Sequence, residues 1–187
     1  MSARVLAALL AALAVASRPV SADDGATRRL DVAHSHAAFS VSHVYVSKVS
    51  GSVPVSSGSV VLAAGSAVPI RIDAVLDPKR VHTDDPDRDD DLQGPDWFDT
   101  AHYPSWTFVS TSVAAGADGT FVANGTLTVH GISQPLALHV TTVRGLPNPV
   151  YHAVGRASRH AFGMRKTAMD GLIGDDVEIT IDAAVAP

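Results

Sequence analysis

Apolar and polar residues alternate with a period of two through much of the chain. In segment 68–76 the apolar positions are Val68, Ile70, Ile72, Ala74 and Leu76, and they are separated by Pro69, Arg71, Asp73 and Val75. A strand with one buried face has this pattern because successive side chains point to opposite faces. We therefore predict a strand here, with the even-numbered side chains on the buried face.

Three later segments repeat this alternation. Their candidate inward residues are Phe121, Ala123, Gly125, Leu127 and Val129, then Leu136, Leu138, Val140 and Thr142, then Val177, Ile179, Ile181 and Ala183. Earlier segments, rich in Ser, Val and Gly, carry Phe39, Val41, Val53, Val55, Val60 and Leu62, and they favour strands over helices. Turn signals at 63–66, 77–78, 116–119, 130–131 and 145–149 separate the segments. The sequence predicts about eight strands.

Residues 83–104 lack the strand pattern. A short helix can begin near Pro86, since proline and acidic residues are both favourable in the first turn of a helix. Gly94 and Pro95 would end it. Antiparallel strands with one helical insertion near residues 85–99 predict an all-β fold, either a closed barrel or a sandwich.

A barrel of about eight strands has an interior that side chains can fill or that can hold one slender ligand. Several candidate inward residues are small: Ala74, Ala123, Gly125, Thr142 and Ala183. Small residues leave space for a cavity, but they also occur where strands bend tightly. The pattern alone leaves both interpretations open.

The first 22 residues have the features of a secretory signal peptide. Arg4 precedes an apolar run from Val5 to Ala16, and the small residues Val20 and Ala22 precede Asp23. The run is shorter than the roughly 20 residues that span a bilayer. We predict cleavage after Ala22, one domain over residues 23–187, and a periplasmic or secreted location.

The remaining 165 residues are acidic and contain no cysteine. All nineteen acidic residues but only twelve of the fourteen basic ones follow Ala22, which gives a formal charge of −7. This balance argues against nucleic acid or an anionic membrane as the main partner. The absence of cysteine excludes disulfides and thiol chemistry.

An ordered set of segments carries a family resemblance. The segments are LDVAHSHAAFSVSH at 30–43 followed by Gly51, VHTDDPDRDDDLQGPDWFDTAHYPSWTFVST at 81–111, GTLTVHGISQPLAL at 125–138, ASRHAFGM at 157–164 and GDDVEITID at 174–182. Together they resemble the YceI-like family of bacterial periplasmic lipid-binding proteins. The resemblance implies an eight-stranded antiparallel lipocalin-like barrel with an apolar tunnel that holds a polyisoprenoid or fatty-acyl chain.

An aromatic cluster and the family segments together suggest where such a chain would bind. Trp97, Phe98, Tyr103, Trp106 and Phe108 lie within twelve residues, and aromatic side chains can close a barrel or contact a ligand. Core packing is the alternative, and alternation does not tell which face of the Trp106–Phe108 segment points inward. The predicted ligand-binding residues are Phe39, Val41, His43, Arg88, Leu92, Trp97, Phe98, Trp106, Phe108, Leu127, Val129, Phe162 and Met164.

Histidine offers a further candidate chemistry. On a strand, His34 and His36 would share a face and could bind zinc or copper, but two ligands do not make a site. We therefore predict no metal site. The alternative is that His34 and Ser35 cap a turn and that His43 is hydrogen-bonded near one end of the barrel.

Acidic residues 84–91 lack the glycine and the final glutamate of a calcium loop. The resemblance aligns Arg88 and Asp89 with an Arg-Asp pair of the family. Such a pair could meet a polar lipid head at the tunnel mouth, or it could be an ordinary surface ion pair.

No catalytic motif stands out, since the chain contains no Gly-x-Ser-x-Gly elbow and no spacing that singles out an acid and a base. We predict an exported carrier of a long apolar lipid, with no catalytic residue and no cofactor other than the bound lipid. A periplasmic stress or redox-accessory protein and a hydrolase are the alternatives. A transient membrane-protein partner and either a monomer or a homodimer stay open.

Overall fold

The computed structural model describes residues 25–43, 47–164 and 170–187. These residues form eight strands: β1 (Gly25–His43), β2 (Ser47–Ala63), β3 (Pro69–Leu76), β4 (Trp106–Ala115), β5 (Thr120–Val129), β6 (Ile132–Arg144), β7 (Val150–Ser158) and β8 (Ile173–Val185). Each strand pairs antiparallel with the next, and β8 pairs with β1 to close a barrel. The predicted eight-stranded antiparallel barrel is confirmed. The predicted signal peptide, residues 1–22, lies outside the described residues.

The predicted helical insertion is also confirmed. Helix α1 (Pro86–Gln93) connects β3 to β4 after a short 3-10 turn at Pro78–Arg80. The side chain of Asp85 accepts a hydrogen bond from the backbone N–H of Arg88 at 3.2 Å, which satisfies a donor at the helix start. The helix ends at Gly94, as the Gly-Pro pair predicts.

A tight turn joins β5 to β6 at the predicted His130-Gly131 position. Both residues have positive φ angles, 53° and 72°. Two successive positive φ angles define the type I′ turn, whose twist matches that of the flanking antiparallel strands. This turn fixes the regular pairing of β5 with β6 from Val129 and Ile132 onward.

Irregular pairing changes which residues face inward. In β2, Val53 and Val55 are buried at odd positions, whereas Val60 and Leu62 are buried at even positions. The pairing with β3 shifts between Val55 and Ser57. An extra residue at a bulge reverses the alternation, and all four side chains therefore reach the interior.

The prediction that Ile70 faces inward is wrong, because the strand pairing shifts a second time. The pairing of β2 with β3 is irregular between Val61 and Leu62, where Pro69 replaces the residue that regular pairing would place there. Pro69 is fully buried, and Ile70, predicted to face inward, is 48% exposed. Ile72 and the residues after it follow the predicted alternation.

The prediction that His34 and Ser35 cap a turn is wrong, because both residues lie within β1. The pairing of β1 with β8 shifts between Asp31 and His36. At this irregularity the buried Ser35 hydroxyl accepts a hydrogen bond from the backbone N–H of Ala184 at 3.0 Å. The hydroxyl therefore supplies a bond where the ladder is interrupted.

The small inward residues do not all serve one purpose. A Cβ atom at Gly125 would lie 2.5 Å from the Phe108 ring and 2.5 Å from the carbonyl oxygen of Val109. The absence of a side chain at Gly125 therefore allows the Phe108 ring to pack directly against the β5 backbone. Ala74 and Ala183, by contrast, border open interior space.

Replacing Gly125 by alanine is expected to lower the free energy of unfolding by about 1–3 kcal/mol, since the ring and the β4 backbone must both move. Chemical denaturation measures this loss. Gly145→Ala is the control, because nothing lies within 4 Å of a Cβ atom built at that position. Equal stability of the two variants would contradict the close contact.

Candidate functional site

The barrel encloses a cavity of about 220 Å³. Its wall is formed by the inward faces of the strands, by Leu92 of α1 and by the segments after α1 and β7. Eleven of the thirteen predicted ligand-binding residues line it: Phe39, Val41, Leu92, Trp97, Phe98, Trp106, Phe108, Leu127, Val129, Phe162 and Met164. The structure also settles the open question of the Trp106–Phe108 face, which points inward.

Aromatic side chains are concentrated at one end of the cavity. The ring of Phe98 meets that of Trp106 edge to face, with centroids 4.6 Å apart, and lies 6.5 Å from that of Phe39. Buried Phe162 and Met164 belong to the same cluster. We call this the aromatic end. Its rings form a rigid apolar surface, since edge-to-face contacts hold them in place.

Two predicted residues, His43 and Arg88, lie outside the cavity wall. The backbone carbonyl of His43 accepts a hydrogen bond from the Ser47 hydroxyl at 2.9 Å, at the end of β1. The Arg88 side chain donates from Nε to the Thr83 hydroxyl oxygen at 2.9 Å and from Nη2 to the Thr83 carbonyl at 2.6 Å. Arg88 therefore holds α1 against the segment that precedes it.

The predicted Arg88–Asp89 pair takes a different form. Arg88 contacts the carboxylate of Asp85 at 3.4 Å, and Asp89 instead accepts the Thr83 hydroxyl hydrogen at 2.6 Å. That hydrogen bond holds the pKa of Asp89 below its usual value. Thr83 is buried and bonds both partners. These contacts stabilise the start of the helix.

Arg159 is a functional candidate that the sequence reasoning missed. It lines the cavity, although only 4% of its side chain is exposed. Its Nε atom donates a hydrogen bond to the backbone carbonyl of Gly174 at 2.9 Å. Its Nη1 atom donates to the carbonyl of Met164 and contacts the Asp170 carboxylate at 2.7 Å. Its Nη2 atom donates to the carbonyls of Asp170 at 3.1 Å and Ile173 at 2.8 Å. These contacts use all five N–H groups of the guanidinium.

The Arg159 contacts connect the end of β7 to the start of β8. The guanidinium carbon also lies 5.9 Å from the centre of the Trp97 ring. On the far side, His160 Nε2 lies 2.9 Å from the Asp170 carboxylate. The hydrogen bonds from His160 and Arg159 hold the pKa of Asp170 below its usual value. Strand alternation could have revealed Arg159, since Tyr151, Ala153 and Ala157 line the cavity from odd positions of β7.

The opposite end of the cavity contains a tyrosine. The Tyr151 hydroxyl donates a hydrogen bond to the carbonyl of Ala67 at 2.6 Å, and its ring meets Phe121 edge to face at 5.6 Å. Burial raises the pKa of Tyr151 to about 12. The neutral phenol is therefore the form that the fold contains.

This raised pKa predicts a loss of stability at high pH. The unfolded phenol ionises near about pH 10, so the contribution of Tyr151 is complete below that pH and is lost as the pH rises towards 12. Ultraviolet titration should show a late tyrosine transition, near pH 12. Tyr151→Phe should remove the late transition. Ionisation of all tyrosines near pH 10 in folded protein would contradict the burial of this hydroxyl.

His34 and His36, which were considered as metal ligands, each contact a different carboxylate. His34 Nδ1 lies 2.7 Å from the Asp31 carboxylate, and His36 Nε2 lies 3.4 Å from that of Asp182. Within residues 25–43, 47–164 and 170–187, no group of three or more His, Asp or Glu side chains is placed to hold a metal ion. Over the same ranges, no helix has the length and apolar character needed to cross a membrane.

Comparisons with known proteins identify related sequences. The YceI-like domain family matches residues 29–185. A UPF0312 protein of Shewanella baltica is 30% identical over 143 residues, which cover 76% of this chain and 74% of that protein. A UPF0312 protein of Shewanella oneidensis is also 30% identical over 143 residues.

Solved structures share the fold. Burkholderia cenocepacia BcnA has a TM-score of 0.72 at 20% identity and covers 84% of this chain and 99% of its own. A polyisoprenoid-binding domain from Saccharophagus degradans, implicated in plant cell wall breakdown, has a TM-score of 0.66 at 18% identity, covering 87% of this chain and 99% of its own. The Campylobacter jejuni YceI protein has a TM-score of 0.61 at 23% identity, covering 73% and 81%.

Proposed function

Because this chain belongs to the YceI-like domain family, we propose that it binds one long apolar lipid inside the barrel. The observation that carries the proposal is the cavity wall, in which only four of the described side chains contain nitrogen or oxygen atoms: Trp97, Trp106, Tyr151 and Arg159. Burying an apolar chain stabilises a complex by about 0.8 kcal/mol per methylene. A long chain therefore needs few polar contacts to bind tightly.

The length of the cavity supports a long chain. Phe121 and Val129 both line it and lie at opposite ends of the same face of β5. At about 3.4 Å per residue and a tilt of about 40°, these positions are about 20 Å apart along the barrel axis. The hydrocarbon of one bilayer leaflet is about 15 Å thick. The cavity is therefore long enough to hold an extended hydrocarbon chain that would cross one leaflet.

A polyisoprenoid is the first ligand to test. Its chain can exceed the length of an ordinary acyl tail, and the Saccharophagus degradans neighbour is described as a polyisoprenoid-binding domain. A fatty-acyl chain is the second ligand to test, since the same apolar wall would accept it.

The wall also supports binding rather than catalysis. Among the described residues that line the cavity, none is a serine, threonine, histidine, aspartate or glutamate. A hydrolase needs a nucleophile and a base next to its substrate. His34 and Asp89 lie outside the cavity wall and bond Asp31 and Thr83. We also propose, from residues 1–22, that the protein carries its lipid in the periplasm or outside the cell.

Native mass spectrometry tests lipid binding directly. Protein purified under mild conditions is expected to have a larger mass before denaturation than after it, and the organic extract should contain the lipid that accounts for the difference. A cavity-filling variant, described in the Discussion, is the matched control and should show no difference. Repeated preparations without an added mass, together with no uptake of a supplied polyprenol, would exclude a carrier function.

A further inference from the structure

The end of the cavity opposite the aromatic end is closed by two side chains. Phe121 and Tyr151 both line the cavity, and their rings meet edge to face with centroids 5.6 Å apart. We call this pair the floor. The Tyr151 hydroxyl donates to the carbonyl of Ala67 at 2.6 Å. Ala67 lies between β2 and β3, which are three and four strands away from β7 around the barrel, so the Tyr151 side chain spans the interior.

Hydrophobic side chains fill the barrel beyond the floor. Leu62, Val68 and Val185 belong to the same hydrophobic cluster as Phe121 and Tyr151, but they do not line the cavity. Leu62 and Val185 are buried. An interior that is packed with side chains leaves little space for a ligand. The cavity therefore stops at the floor.

Hydrogen bonds hold the strand ends together around this closed end. Arg28 Nη2 donates to Asn148 Oδ1 at 3.0 Å and to the carbonyl of Ala186 at 2.6 Å. These bonds join β1, the connection between β6 and β7, and the residue after β8. The backbone N–H of Val185 donates to the carbonyl of Pro149, which is fully buried, at 2.9 Å. A chain could pass the floor only by breaking these contacts.

The surface of the cavity determines which end of a chain can reach the floor. Only apolar atoms of the described wall residues are exposed to the cavity. A polar head group placed against such a surface would lose its hydrogen bonds to water. At the aromatic end, the lining residues Leu92, Trp97 and Ile173 are partly exposed. The terminus that reaches the floor is therefore the apolar one, and a head group lies towards the aromatic end.

We infer that the floor, Phe121 with Tyr151, sets the longest apolar chain that the barrel holds along its whole length. The inference rests on the proposed lipid-binding function and adds a chain-length limit to it. Each methylene that enters the cavity raises the affinity about fourfold, whereas one that remains in water adds nothing. The affinity should therefore rise with chain length until the terminus touches the floor, and it should then stay constant.

A homologous series of saturated primary alcohols tests this limit. Competition with a fluorescent polyprenol analogue gives each dissociation constant, and the limit is the chain length at which the affinity stops rising. Ala183 lines the cavity beside Tyr151, its partner in strand pairing. In Ala183→Leu, the longest chain that the unmodified protein holds should bind about fifteenfold more weakly, because about two methylenes are displaced into water. Shorter chains that do not reach the added side chain should bind as before.

Phe121→Ala should move the limit in the other direction. Loss of the ring opens space at the floor. An alcohol about two carbon atoms longer than the original limit should therefore bind this variant about fifteenfold more tightly than the unmodified protein. The matched control is Ala157→Leu, on the same strand as Tyr151 but packed against the aromatic end. It should weaken the binding of all chains by a similar factor and leave the limit unchanged.

The outcomes separate the inference from the proposed function. A limit that is the same in Ala183→Leu as in the unmodified protein, or that moves in Ala157→Leu instead, would overturn the inference and leave lipid binding intact. An affinity that rises without a limit would do the same. Circular dichroism checks folding, and if Phe121→Ala does not fold, Ala183→Leu decides the question alone. Failure of every alcohol to bind the unmodified protein would remove the proposed function as well.

Discussion

The double variant Ala74→Phe with Ala153→Phe is expected to bind lipid about a thousandfold more weakly than the unmodified protein. Both alanines line the cavity, one on β3 and the other on β7. These strands are four apart in an eight-stranded barrel, so the added rings enter from opposite sides. Displacing about five methylenes of the bound chain costs about 4 kcal/mol, which corresponds to that factor.

The barrel itself should fold normally in this variant. The rings enter space that the alanines leave open, so they displace ligand and little protein. The matched control is Ala114→Phe with Ala137→Phe, two exposed positions on β4 and β6. Titration with a fluorescent polyprenol analogue measures both affinities, and circular dichroism checks folding. Equal affinities in the two folded double variants would place the lipid somewhere other than the cavity.

Arg159→Met is expected to lower the free energy of unfolding by about 3 kcal/mol. The change leaves the carbonyls of Met164 and Ile173 and the carboxylate of Asp170 without their charged donor, and breaking a buried ion pair or its hydrogen bonds costs this much. Arg159→Lys should restore only part of the loss, because an ammonium group lacks the planar arrangement of five donors.

Arg156→Met is the control for this prediction. Arg156 lies three positions earlier, is 72% exposed and contacts Glu178 at 3.2 Å, so its loss should cost less than about 1 kcal/mol. Chemical denaturation gives both values. Hydrogen exchange should also show faster exchange of the backbone amides at 159–164 and 170–174 in Arg159→Met alone. A stability change as small as that of Arg156→Met would mean that contacts other than those of Arg159 hold the connection between β7 and β8.

The sequence predicted inward-facing residues correctly where the strand pairing is regular. Where the pairing is continuous, as between β5 and β6, alternation identified the buried Phe121 and Leu138 correctly. Where a bulge inserts a residue, alternation fails, as at Ile70. The sequence carries no separate signal for the inserted residue, since a bulge depends on how two distant strands pair.

The sequence predicted most of the residues that line the cavity, but it did not predict which face of β4 points inward. Trp106 and Phe108 alternate with Thr107 and Val109, and both faces are apolar enough to be buried. The pairing of Phe108 with Ala74 and Leu127 on the neighbouring strands decides the question. Arg159 was missed for another reason. A charged residue is normally expected at the surface, and the carbonyl groups that surround this one come together only after folding.

The pairing of β1 with β8 has a kinetic consequence. It joins Leu30 to Val185, so the first and last strands meet only when almost the whole chain is available. Closing such a long loop costs conformational entropy before any contact compensates for it, and domains with many distant contacts fold slowly. Until β8 is in place, the edges of β1 and β7 are open to other chains. The last strand therefore completes the cavity and ends the period in which the nascent barrel can aggregate through its edges.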